Sequence, residues 1–157
     1  MPLLRWGPKM LLSSVLFLAV LMGPASAPAQ AGPVQVDILV IEASKKGSGY
    51  DPRLDAAKLS GQLKDAGFPK ATVLDSLQAT VEPDAQVSLQ IRGMPEKSRM
   101  LTVKVLEVQP DGTIRLRLAM PDFKFSADTT HKKGGTILVA HKRGADEALF
   151  LAVTPHP

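Results

Sequence analysis

The chain has 157 residues and no cysteine, which excludes a disulfide framework, a thiol nucleophile and a lipid-bearing cysteine. Its formal charge of +4 comes from 19 Lys and Arg against 15 Asp and Glu, and falls to +2 if the two N-terminal cations, Arg5 and Lys9, are removed. Aromatic residues make up only 4% of the chain, too few for the stacking platforms of a nucleic-acid binder, so no nucleic acid is expected as a partner.

Arg5 and Lys9 precede an apolar run from Leu11 to Met22, which breaks at Gly23-Pro24 into small residues. That is the three-part form of a secretory signal. The run is shorter than the about 20 apolar residues of a bilayer-spanning helix, so no integral span is expected after cleavage. Cutting after Ala27 would leave Pro28, whose ring and missing N–H fit an extended protease substrate poorly, and cleavage is therefore expected after Ala31. The reading is a signal peptide over residues 1–31 and a single β-rich domain over 32–157. Its expected location is the periplasm, the outer-membrane surface or the extracellular side.

The first element after the signal is a strand, Val34 to Ile41. Val34, Val36, Ile38 and Val40 share one face while Leu39 and Ile41 make the other apolar too, which predicts a position in the middle of a sheet. "KKGSGYDP" then makes a loop, and Asp51-Pro52 has the form of an N-cap followed by proline at the first helical position. One helix is predicted over about residues 52–66, with Ala56, Leu59, Leu63 and Ala66 on its buried face. Gly67 is its left-handed stop, Phe68 folds back on Leu63, and Pro69 prevents continuation.

Downstream the pattern has period two. Val87, Leu89 and Ile91 alternate with polar residues, as do Leu101, Val103 and Val105, and as do Ile114, Leu116, Leu118 and Met120. Asp111-Gly112 between the last two runs is a strong hairpin signal. Phe123 and Phe125 continue the apolar face, Thr136 to Ala140 is a short buried run, and Ala148 to Thr154 is a last strand. The fold class is mainly β (α+β): a β-sandwich or two-sheet domain of about seven strands with one helix.

The chemical motifs are few. In "HKKGGTILVAHKRG", residues 131 to 144, the paired glycines precede a strand, whereas a phosphate loop needs a helix to follow. Gly134-Gly135 therefore read as a tight turn or bulge. The cations Lys132, Lys133, Lys142 and Arg143 flank that strand and are the candidate ligand-binding residues for an anionic glycan or lipid surface, set against the plainer reading of a solvated strand with charged ends. The region supports that weighing, since residues 92–143 hold eleven Lys and Arg against five Asp and Glu. Phe123 and Phe125 are the candidate partner edge, open to strand addition.

Metal binding is not expected: only His131, His141 and His156 are present, and two stand beside lysines. Asp128 with His131 is the one conceivable pair, and Ser126, Asp128 and His131 are the residues a hydrolase would have to assemble. Ser48, in Gly47-Ser48-Gly49, lacks a nucleophile elbow. No cofactor and no catalytic residue is assigned.

"LTVKVLEVQPDGTIRLRL" (residues 101–118), "KKGGTILVAHK" (132–142) and "ALFLAVTP" (148–155) resemble, in their order, the C-terminal β-domain of bacterial secretins. The resemblance implies a hairpin through an Asp-Gly turn, a glycine-led strand and a terminal strand ending in Thr-Pro. It departs at "HKRGADE", where secretins carry further segments, so pore formation is not implied. The whole chain after the signal also looks like small exported proteins of Gram-negative bacteria. The functional expectation is a non-enzymatic envelope protein that binds another protein, as an accessory to a secretion or surface assembly.

Overall fold

The computed structural model describes residues 32–94 and 99–157; the expected signal peptide lies outside them. The described residues form nine strands in two sheets: β1 (Val34–Ser44), β2 (Gly49–Tyr50), β3 (Lys70–Val81), β4 (Gln86–Gln90), β5 (Met100–Val108), β6 (Ile114–Met120), β7 (Phe125–His131), β8 (Ile137–Lys142) and β9 (Glu147–His156). Sheet A has the order β2-β3-β1-β9-β8 and sheet B the order β4-β5-β6-β7. β1 is the middle strand of sheet A, as its two apolar faces predict.

Between the sheets lies the larger core. Val36, Ile38 and Val40 of β1 and Leu149, Leu151 and Val153 of β9 pack with Leu101, Val103, Leu116 and Leu118 of sheet B. All are within a few per cent of complete burial, so each removes most of its side chain from water, roughly 1.5–3 kcal/mol apiece. The alternation of β6, buried at Ile114, Leu116, Leu118 and Met120 and exposed at Arg115 and Arg117, is what one buried face dictates.

A second, smaller core covers the outer face of sheet A. Ile41, Ala43, Ala71, Val73, Ala148 and Phe150 pack there against Leu54, Leu59, Leu63 and Phe68 of the helical segment. That segment is not one helix. It divides into α1 (Pro52–Ala56) and α2 (Ser60–Asp65). α1 closes with Leu59 N–H donating to the Leu54 carbonyl at 2.9 Å, around Lys58 at φ 58°. This is the left-handed helix stop that glycine usually supplies. α2 ends the same way, with Phe68 N–H on the Leu63 carbonyl at 3.0 Å around Gly67 at φ 90°. The break resets the helical phase, so Leu54 is buried and the expected core residues Ala56 and Ala66 are exposed.

β3 was not visible as a period-two strand, and its pairing explains why. Val40 lies opposite Asp75 and Ile41 opposite Val73, leaving Leu74 as a bulge. The bulge switches which parity faces inward: Ala71 and Val73 pack under the helices, whereas Leu77, Ala79 and Val81 face sheet B. Phe123 is also displaced from its expected strand. It closes a 3-10 turn, Pro121–Phe123, and Lys124 at φ 51° separates it from β7.

The hairpin at Asp111-Gly112 forms as expected. Gln109 N–H donates to the Thr113 carbonyl at 2.8 Å, Gly112 adopts φ 85°, and Thr113 N–H donates to Asp111 Oδ1 at 2.8 Å.

Candidate functional site

The helical cover stops partway across the outer face of sheet A. It is anchored by Asp51, whose carboxylate caps α1 at Arg53 N–H (3.0 Å), receives Arg53 Nε and Nη2 (3.0 and 2.8 Å), and reaches across to Val73 N–H (3.3 Å). Arg53 Nη2 also donates to the Val73 carbonyl at 3.1 Å. The Arg53 side chain, then its backbone N–H, holds the Asp51 carboxyl well below the usual carboxylate range.

Where the cover ends, a groove of about 280 Å³ opens. Ala57 and Leu59, on either side of the Lys58 turn, border it at the helical side. Its polar groups come from four strands or their immediate flanks: Ser76, Asp37, Thr154 with His156, and Thr136. Thr154 lies opposite Asp37 in the ladder, and the Thr136 and Thr154 hydroxyls share a hydrogen bond of 2.6 Å. His156 Nε2 meets Asp37 Oδ2 at 2.9 Å.

This collection is not a catalytic triad. His156 is opposite Gln35 and Ser76 is opposite Leu39, four positions further along β1 and on its other side. At about 3.3 Å per residue that offset alone is about 13 Å, beyond reach of a serine–imidazole hydrogen bond. The groove sets hydroxyls, a carboxylate and an imidazole around an apolar floor that includes Leu39 and Ala152.

The residues singled out from sequence are distributed as follows. Lys132 and Lys133 sit in the four-residue turn closed by Gly135 N–H on the Lys132 carbonyl at 2.8 Å, with Gly134 at φ 72°. The glycine pair thus turns the chain from sheet B to sheet A. A Cβ on Gly112 would touch the Lys133 side chain at 3.6 Å, so Lys133 lies beside the β5–β6 hairpin tip. Lys142 ends β8, and Arg143 follows it with its guanidinium 3.1 Å from Glu42. The four cations therefore occupy two ends of one strand, as their spacing implies. At the Lys142 end the ladder adds Lys70 opposite Ser44, next to Lys45 and Lys46, with Lys46 paired to Asp146 at 2.9 Å.

Ser126 and Asp128 face outward on β7, whereas His131 shares the inward face with Ala127 and Thr129 and is 1% exposed. Strand alternation puts them on opposite faces, so the sheet does not assemble them. Asp128 instead accepts Arg117 Nε and Nη2 at 2.7 and 2.9 Å, which lowers its pKa. His131 Nε2 shares a hydrogen bond of 2.7 Å with the Thr129 hydroxyl, and burial lowers its pKa. Among the described residues no group of three or more His, Cys, Asp or Glu is placed to hold a metal ion.

Phe123 and Phe125 are half-buried and pack on the main core. Both rings meet the His141 ring of β8, with centroids 5.1 and 5.4 Å away. They fasten the β7 margin of sheet B to the β8 margin of sheet A. Among the described strands β8 pairs with β9 alone, and its apolar residues Ile137, Leu138 and Val139 are only half-buried while the facing β9 residues are buried.

The pairs Asp37–His156 and Thr136–Thr154 escaped sequence reasoning because their partners are 119 and 18 positions apart and meet through the β1–β9–β8 ladder. The local signal was a polar residue interrupting the apolar stretches of β1 and β9, at Asp37 and Thr154.

No family model matches the chain, and comparison with curated proteins and with solved structures finds no match. Among the described residues no helix is long and apolar enough to cross a membrane.

Proposed function

We propose that the protein is an exported, non-enzymatic envelope module that binds another protein by adding a strand to β8, as an accessory to a secretion or surface assembly. One observation carries this reading: β8 is a six-residue edge strand with an apolar run, half-exposed, and a hydrogen-bonding edge that pairs with no other described strand. Exposed edges of this composition are templates for strand addition, and natural proteins otherwise blunt them with charge, proline or bulges. Here the guard is Lys142 at the end of the strand. The aromatic pair Phe123 and Phe125, the candidate edge in the sequence, packs against β8 through His141. The secretin-like order of elements over residues 101–155 and the signal-like N-terminus point to the same class of partner.

The test is photo-crosslinking in cells from single positions along β8, with outward-facing Asp128 on sheet B as control. The expected result is adducts from Leu138, Ala140 and Lys142 whose attachment points step along one segment of a single envelope protein. Adducts that scatter over many proteins, or that arise equally from position 128, would overturn the reading.

A further inference from the structure

The groove on sheet A contains a polar group that the fold leaves unsatisfied. Asp37 Oδ2 is paired with His156, but Oδ1 is sealed from water and meets no donor among the described residues. A desolvated carboxylate oxygen without a donor is costly, and a ligand that donates to it recovers that cost. The Asp37 and His156 side chains are 39% and 46% exposed, so the carboxylate as a whole is open to a ligand although its Oδ1 is not.

Charge selects the ligand. Among the described residues Asp37 and His156 are the only ionisable side chains bordering the groove, and no described lysine or arginine borders it. An anion therefore has no partner there other than the imidazole, whereas a cation meets a carboxylate. The Thr136 and Thr154 hydroxyls, bonded to each other beside Asp37, keep lone pairs free to accept. An ammonium carries three donors and no acceptor, which matches one carboxylate oxygen and two hydroxyl oxygens. Beyond them Leu39, Ala152 and Leu59 offer apolar surface along which a short methylene stem can lie.

We propose that this groove binds a primary ammonium group carried on a short alkyl stem, with Asp37 as its counter-ion and Thr136 and Thr154 as accessory acceptors. The site adjoins the start of β8 through Thr136, but its counter-ion does not: Asp37 stands on β1, two strands inside that edge, or about 10 Å at about 4.8 Å per strand.

The experiment is an amide ¹H–¹⁵N titration of the protein with n-butylammonium chloride. Butan-1-ol serves as the uncharged stem, and Nα-acetyl-lysine methylamide represents the same group on a polypeptide. The proposal expects saturable shifts centred on residues 37, 136 and 154, at least tenfold weaker binding for Asp37→Asn, and undiminished binding for His156→Ala. Tighter binding of the lysine amide than of butylammonium assigns a polypeptide source, and the reverse order a free amine. If Asp37→Asn fails to fold, Thr154→Val replaces it, with several-fold weaker binding expected. Absence of saturable shifts, equal binding of butan-1-ol, or full binding by the Asp37 or Thr154 variant would overturn the proposal.

Discussion

Sheets A and B are built from the same alternation of apolar and polar residues, yet they are assembled differently. Sheet B is a meander in which β4, β5, β6 and β7 each pair with their chain neighbours. Sheet A joins the two ends of the described chain, with Gln35 opposite His156, and interposes the helical segment between β1 and β3. Local pairing closes short loops at little entropic cost, whereas long-range pairing must first bring distant segments together. The difference extends to their surfaces: sheet B buries one face and solvates the other, while sheet A carries a covered face, a groove and an apolar edge.

The strongest way to sharpen that contrast is to remove core volume from each sheet. Ile38→Ala on β1 and Leu116→Ala on β6, both within 1% of full burial, are each expected to lower unfolding free energy by about 2–5 kcal/mol. Denaturant kinetics separate them. If sheet B forms first, Leu116→Ala slows folding and Ile38→Ala chiefly speeds unfolding. Equal partition between the two rates for both variants would erase the distinction.

His131 tests the sheet B interior by pH. Its folded pKa is lowered by burial, so the neutral ring is favoured in the native state. Above about pH 6.5 the imidazole is neutral folded and unfolded, and its contribution is intact. As pH falls below that value the unfolded chain takes up a proton that the folded one resists, and stability declines until the folded pKa is reached. The slope is at most one proton, about 1.4 kcal/mol per pH unit. His131→Gln should flatten the stability profile between pH 6.5 and the acid range, and an unchanged slope would reject the assignment.

A smaller effect belongs to the cover of sheet A. Lys58 occupies the left-handed region at φ 58°, so Lys58→Gly should raise stability by about 0.5–1 kcal/mol in chemical denaturation, and Lys58→Val should lower it. The least effect is expected on the solvated face of sheet B. The Arg117–Asp128 pair is bidentate but about half exposed on both sides, and Arg117→Ala should leave the denaturation midpoint within experimental error.

How much of this was legible in the sequence follows from locality. β1, β5, β6 and the Asp111-Gly112 hairpin are written in uninterrupted alternation and turn chemistry, and the structure contains them as read. The N-cap Asp51-Pro52 and the Gly67 stop were equally local. β3 was hidden because the Leu74 bulge exchanges its faces midway. The division of the helix was hidden because a lysine, not glycine, takes the left-handed turn. The groove was illegible for a different reason: its carboxylate, imidazole and hydroxyls are brought together by pairing between chain ends, and no window of sequence contains them. Of the candidate residues, Lys132 and Lys133 precede β8, Lys142 ends it with Arg143 following, Phe125 opens β7, and Phe123 closes a 3-10 turn.

Amide hydrogen exchange across β8 in the isolated protein tests the open edge most directly. Residues 137–142 should show period-two behaviour, in which amides bonded to β9 are protected and the intervening amides exchange nearly as fast as unstructured chain. Uniform protection along β8 would mean the edge is already paired, and would contradict strand addition as the protein's mode of binding.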